Sequence, residues 1–414
     1  MNRTAGLGWL AGLVSVLAAT ACANDGFTPD DDSTTTGTGG ASAATGGGPS
    51  TSTGGQAELP SDCSAVTDAC PFEAGIEHHC VKRFGLGVNY AWRDFASDFG
   101  GLAAWSLGGV TANAASYDAD LALMRENGAS IVRWWMFPDL RGDGVLRDGA
   151  GSPTGLSETA VADIHKALEL AAKNNLSITL TLFSFDDFRP TRTEGGVSIP
   201  GLSALLGTAE GRTTLVNNVV VPAARAVASS PNASALFGWD VINEPEWAIA
   251  PTGSAPTGGE FDPNDELTPV ALADMKAFIS EALTALAAET PTAERSVGWA
   301  AAKWAWAFTD ITGVTFHQPH IYAWVNDYWP YTTPPADLGY GPGPVVMGEF
   351  YMMDGPFGAT PTFQAVLDSW YTAAYAGAWA WDYYGAHIKT PADAGLDLSL
   401  VGDFATAHGC SVSY

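Results

Sequence analysis

Glu244 and Glu349 are the residues of this 414-residue chain whose setting points to chemistry. Glu244 ends the run Phe237-Gly-Trp-Asp-Val-Ile-Asn243 and precedes Pro245, while Glu349 follows Val346-Met-Gly348. A carboxylate just past a buried apolar strand is costly to desolvate unless it has a partner or a task. A salt bridge or a helix cap would account for either one alone. Together, two carboxyl groups in unlike surroundings can cleave an acetal: one protonates the leaving oxygen, and the other attacks or activates water on the opposite face. Asn243, beside Glu244, supplies an amide able to hydrogen-bond a sugar hydroxyl.

Holding these groups together requires a scaffold that delivers several strand ends to one rim. Short β-branched or apolar runs recur at Phe84–Asn89, Ser130–Trp135, Ser177–Ser184, Leu236–Asn243, Arg295–Ala300, Val314–His317, Val345–Phe350 and Gly377–Asp382. Helical patterns separate most of them. Val161, Ile164, Leu168 and Ala171 form one apolar stripe, capped by Ser157. Another helix is predicted from Thr268-Pro269 through Met275, Phe278, Ala282 and Leu286. Eight strands alternating with helices predict an α/β fold, a (β/α)8 TIM barrel, whose sites gather at the C-terminal strand ends. A doubly wound sheet is the alternative, but no glycine-rich phosphate loop follows the first strand.

The barrel is expected to span residues 63–414. Residues 1–22 read as a signal peptide: Arg3, an apolar run from Leu7 to Ala19, and Thr20-Ala21 before Cys22. Cys22 resembles a bacterial lipobox cysteine and is the candidate lipidation site; an ordinary signal peptide is the alternative. Residues 23–62 are rich in Thr, Ser, Gly and Pro and lack large apolar groups to offset ordering entropy, so they read as a disordered linker. The protein is therefore expected to be secreted, or lipid-anchored at the outer surface of a bacterium. Cys63, Cys70, Cys80 and Cys410 form an even set at the two ends of the domain, and disulfides are expected. Of three possible pairings, Cys63–Cys70 with Cys80–Cys410 is preferred, since the second would tie the chain ends together.

Charge narrows the partners. Lys and Arg number 18 against 45 Asp and Glu, a formal net of −27. Nucleic acid, anionic lipid and polyanionic polysaccharide are thereby disfavoured, and a neutral polysaccharide fits. The only membrane contact expected is through an N-terminal lipid, and the protein is expected to be a monomer. No His, Cys or carboxylate grouping has metal-ligand spacing, so no metal and no cofactor are expected. Fifteen Trp could serve as sugar platforms, although core packing is the commoner use of any single one.

Asn243-Glu244-Pro245 after strand four and Glu349 after strand seven resemble glycoside hydrolase clan A, within it family 5, and within that the endo-β-1,4-mannanases. Gly87-Val-Asn89-Tyr90, Ile131-Val-Arg133-Trp134, His320-Ile-Tyr322 with Trp324 and Trp329, and Gly377-Ala-Trp-Ala-Trp381 extend the resemblance over essentially residues 84–409. The resemblance implies a retaining enzyme with Glu244 as acid/base and Glu349 as nucleophile, the latter hydrogen-bonded by Arg133 and Tyr322. Asn243 would bind the sugar 2-hydroxyl, His320 would line the site, and Trp381 would lie beneath the scissile sugar. Asn89 and Trp324 join the substrate-binding set, and Trp92, Trp135, Trp247 and Trp304 are expected to face the cleft. One departure stands out. Family members often carry a histidine at the end of strand three, where this chain has Ser184-Phe185-Asp186-Asp187.

The resemblance favours β-mannan as substrate. A clan A β-glucanase, cellulase or other β-glycosidase is the alternative, because mannan and glucan differ at one hydroxyl that few residues can read. A catalytically silent carbohydrate-binding barrel is a further one.

Overall fold

The computed structural model describes residue 63 and residues 66–255, 259–358, 360–388 and 395–414. The expected signal peptide, Cys22 and the linker through residue 62 lie outside the described residues. No described helix is long and apolar enough to cross a membrane.

Eight parallel strands form the barrel: β1 Gly85–Asn89, β2 Ile131–Trp135, β3 Ser177–Ser184, β4 Leu236–Asn243, β5 Glu294–Trp299, β6 Gln318–Pro319, β7 Val346–Met347 and β8 Gly377–Ala380. Their order runs from β6 through β1 to β8 and β7. Bridges His317↔Val345 and His320↔Glu349 join β6 to β7 and close the ring. Helices α1 Ala114–Glu126, α2 Glu158–Lys173, α3 Val221–Ser229, α4 Leu272–Glu289, α5 Phe363–Thr372 and α6 Ser399–His408 pack outside. The connection after β5 carries a 3-10 turn, Ala302–Ala307, and that after β6 a short helix, Ala323–Asn326, and a 3-10 turn, Pro335–Asp337.

Period-two alternation decides what faces the interior. On β2, Val132 and Trp134 pack outward against the helices, while Ile131 joins Phe237, Phe316, Val346 and Trp379 in a core inside the barrel. Arg133 and Trp135 share the parity of Ile131 and stand above it, toward the C-terminal rim. On β8, Trp379 fills the barrel and Trp381 follows on the same side. Gly87 permits this: a Cβ there would meet Trp379 Cδ1 at 2.4 Å.

Two local expectations are corrected. Strand six pairs at Gln318–Pro319, beyond the expected Val314–His317, because its ladder runs through the Pro319 carbonyl, which accepts from Gly348 N, and past the proline to His320 N, which donates to Trp299 O. The proline that ended the sequence pattern thus lies inside the strand. Helix α4 starts at Leu272, after Val270 has paired with Ile249. Thr268 is committed instead to Phe188 O through its N–H. By contrast, Ser157 caps α2 as expected, accepting from Ala160 N.

The cysteines pair as Cys63–Cys80 and Cys70–Cys410, not as Cys63–Cys70 and Cys80–Cys410. A hairpin, Ile76–His78 with Val81–Arg83, is the cause. It carries Cys80 at its turn, whereas residues 70–72 lie beside its second strand, where Phe72 N donates to Lys82 O. Phe84 N donates to Ser411 O and Arg83 bonds both Cys70 O and Ser413 O, so Cys70 is the residue brought to the C-terminus. Ile76 and Tyr414 then cover the floor of the barrel.

Candidate active site

The ends of β1, β2, β4, β6 and β7 converge on one buried guanidinium. Arg133 is fully buried; its Nε and Nη2 donate to Asp240 Oδ2 at 2.9 and 2.6 Å, and its Nη1 to Glu349 Oε1 at 2.6 Å. Nη1 also reaches Asn89 Oδ1 at 2.9 Å and Nη2 reaches Asn243 Oδ1 at 2.8 Å. Asp240 further accepts from Thr181 Oγ1 and Gly298 N. A Cβ on Gly298 would stand 2.8 Å from Arg133 Nη2 and 3.1 Å from His320 Nε2, so β5 needs glycine there to admit the cluster. Burial alone would push the guanidinium down, but Asp240 and Glu349 hold it charged.

Glu349 accepts from Tyr322 Oη at 2.8 Å on its other oxygen, Oε2. His320 Nδ1 lies 2.8 Å from Glu244 Oε1 and 3.5 Å from Glu349 Oε2. Glu244 Oε2 accepts from the Trp247 indole at 2.8 Å. Carboxylate oxygens of Glu244 and Glu349 approach within 4.8 Å of each other. Glu244 itself adopts φ 49, ψ 52, a left-handed conformation unfavourable for a side chain of its size, and its N–H donates to Gly298 O. Such strain concentrates at functional positions.

Burial raises both carboxyls, in unlike surroundings. Glu244 is pushed up to about 7 by desolvation, opposed only by the Trp247 hydrogen bond and the more distant Arg133 charge. Glu349 is also raised by burial, which outweighs the lowering by His320, Arg133 and the Tyr322 hydrogen bond; the guanidinium is shared with Asp240. It remains the carboxyl in direct contact with a fixed cation. Burial drives His320 down to about 4, leaving it neutral. A neutral imidazole can donate through Nδ1 to an ionised Glu244 or accept from a protonated one, so this contact survives both states.

The donor atoms of Glu244, His320 and Glu349 stand close enough to chelate a cation, a grouping the linear sequence did not reveal. Arg133, Tyr322 and Trp247 already occupy oxygens of both carboxylates, so a metal would compete with a fixed guanidinium.

Two groups of aromatics flank the carboxyls. Trp92, Trp135 and Trp381 pack together, with ring centroids 5.3 Å apart for Trp92 and Trp135 and 5.7 Å for Trp135 and Trp381. Trp247 packs on Trp304 and Trp324 beside Glu244. Of the expected contact residues, Arg133, His320 and Asn243 are buried beside the carboxyls, and three more are not open to a ligand. Asn89 is fully buried and donates to Gly348 O and Trp379 O while accepting from Arg133, so it fixes the guanidinium from below. Trp304 is fully buried, with its indole bonded to Glu260 O. Trp135 is only 2% exposed. At the end of β3, Ser184 and Asp187 form a reciprocal cap on a 3-10 turn, and Asp186 and Asp187 are both buried. Sequence reading passed over Asp240. Its signal was available: a charged residue in the middle of an otherwise apolar strand.

No protein-family model matches the chain. Mannan endo-1,4-β-mannosidase of Mytilus edulis is 26% identical over 337 residues, spanning 73% of this chain and 84% of the relative. The X-ray structure of the blue mussel β-mannanase superposes with TM-score 0.66 at 20% identity, covering 82% of this chain and 96% of that one. The β-1,4-mannanase of the sea hare Aplysia kurodai gives 0.64 at 19%, covering 80% and 95%. The chain is thus similar in sequence and in fold to family 5 mannanases, in agreement with its motifs.

Proposed function

We propose that this chain is a glycoside hydrolase that cleaves the internal β-1,4 links of a neutral mannan by double displacement. The observation that carries this reading is the approach of Glu244 and Glu349 oxygens within 4.8 Å. Inverting enzymes hold their carboxyls roughly 6.5–9.5 Å apart to admit a water, whereas retaining ones use about 5–5.5 Å. Glu349 attacks the anomeric carbon as the glycosidic C–O bond breaks and Glu244 gives its proton to the leaving oxygen. Water then attacks the glycosyl ester, passing a proton back to Glu244 and releasing Glu349. Arg133 and Tyr322 orient the attacking carboxylate, and Arg133 also fixes the Asn243 amide beside it. Trp381 and Trp92 offer apolar planes on one side of the dyad, Trp247 and Trp324 on the other.

The mannan preference rests on the mannan endo-1,4-β-mannosidase relatives, and the acidic surface suits an uncharged polymer. The two disulfides fit export to an oxidising compartment. A lipid on Cys22 would hold the enzyme at a bacterial surface, although the relatives named above are animal proteins; equal detergent partitioning of wild type and Cys22→Ser would rule the anchor out. Soluble mannan, glucomannan, xylan and carboxymethyl cellulose, scored by product length, test the substrate. Short manno-oligosaccharides with retained anomeric configuration are expected. Cleavage of xylan or cellulose alone overturns the mannan assignment, and binding without any release of reducing ends establishes a silent carbohydrate-binding barrel.

A further inference from the structure

Glu246 is a buried carboxyl that the mechanism above does not use. It is fully buried two residues beyond Glu244, in the 3-10 turn Pro245–Ala248, and both its oxygens lie 3.1 Å from Ala300 N. Ala300 immediately follows β5. The same turn fixes everything distinctive about Glu244. Its first residue follows Glu244 in its left-handed conformation, its third, Trp247, donates the indole hydrogen bond to Glu244 Oε2, and Ile249 N closes it on Glu246 O. On the other side, Glu244 N donates to Gly298 O of β5. The segment bearing Glu244 is therefore stitched to β5 at two points, Gly298 before the strand end and Ala300 after it. Glu246 supplies the second stitch from a side chain.

We propose that Glu246 is a positioning residue that sets the place of Glu244: its carboxyl anchors the turn to Ala300 and so holds Glu244 and the Trp247 indole in register. The inference rests on the reading of Glu244 as acid/base. Its position makes sense physically, because a left-handed glutamate needs surrounding structure to over-determine it, and one backbone bond to β5 leaves the turn free to pivot. The anchor is tested by substitution. Glutamine keeps an acceptor for Ala300 N, whereas alanine removes it. Burial raises Glu246 to about 8, the charge of Glu244 adding to the rise, so Glu246 keeps its proton while Glu244 titrates near 7.

The test uses the full enzyme with Glu246→Gln and Glu246→Ala, on mannan and on an aryl β-mannoside with an activated phenolate leaving group, across pH. Glu246→Gln is expected to keep kcat within threefold of wild type on both substrates with the alkaline limb unmoved, since Glu246 is itself uncharged where Glu244 titrates. Glu246→Ala is expected to lose more than tenfold in kcat on mannan, with KM changed less than threefold and the activated substrate spared. Wild-type kcat on mannan in Glu246→Ala overturns the proposal. So does equal loss on both substrates, or a Glu246→Gln variant as impaired as alanine. If Glu246→Ala does not fold, Glu246→Asp, whose carboxyl falls one methylene short of Ala300 N, takes its place and is expected to show the same selective loss of kcat on mannan. A wild-type enzyme inactive on mannan and aryl mannoside alike would instead defeat the underlying reading.

Discussion

Asp240 grips Arg133 with a single oxygen, taking hydrogen bonds from Nε at 2.9 Å and Nη2 at 2.6 Å. Both side chains are fully buried. With those donors occupied, Nη1 is aimed at Glu349. Removing one partner of a buried pair strands the other charge, which costs about 3–5 kcal/mol. Asp240→Ala should lose that much in denaturant unfolding, and kcat with it; a loss below about 1 kcal/mol would mean that the pair is not what fixes Arg133.

Glu349 and Glu244 should fail differently when truncated. Glu349→Ala is expected to form no glycosyl-enzyme adduct with a 2-fluoro mannoside by mass spectrometry. Glu244→Ala should lose about 10²–10⁴-fold on mannan, the usual worth of general acid catalysis, yet still form the adduct from substrates with activated leaving groups. Exchanged phenotypes would reverse the assigned roles.

The Trp247 indole stabilises the ionised form of Glu244, so it lowers a carboxyl that burial has raised to about 7. Glu244 must be protonated to act as acid, and the alkaline limb of kcat on mannan should therefore lie near pH 7. Trp247→Phe removes the donor while keeping an apolar ring, and should move that limb upward. A downward move would contradict the hydrogen bond's sign.

Stability should fall as pH rises from 6 to 8. Burial raises Asp98 to about 6, Asp186 and Glu244 to about 7 and Glu246 to about 8, above their unfolded values near 4. A raised carboxyl binds its proton more tightly when folded, so its contribution is complete below the unfolded pKa and is lost through the folded one. His78 and His320, depressed by burial to about 3 and about 4, act oppositely, but only as pH falls below their unfolded value near 6.5. Melting temperature measured across this window checks the sign; a rise toward pH 8 would refute it.

Non-reducing peptide mapping should recover Cys63–Cys80 and Cys70–Cys410. The bridges close loops of 17 and 340 residues. By chain entropy they stabilise by about 3 and about 6 kcal/mol respectively, so the Cys70→Ser/Cys410→Ser variant should be the less stable of the two double mutants. The reverse order would place the main constraint at the hairpin.

What the sequence determined by itself was local or periodic. The short apolar runs Ile131–Trp135 and Leu236–Asn243, the Ser157 cap and the setting of Glu244 and Glu349 at strand ends made the barrel and its two principal carboxyls legible. These signals depend on residues near one another in the chain. Tertiary structure alone decided which distant groups meet. Asp240 and Arg133 are 107 residues apart, and their contact depends on the barrel closing so that both strands point inward at one level. Asn89 and Trp304 carry side chains suited to sugars, but the space around them is taken by other parts of the protein, a matter of packing that residue type does not encode. The same holds for the disulfides: parity of the cysteines predicted two bridges, but a hairpin turn selected the partners, because covalent pairing follows the distance between folded segments and not their order along the chain.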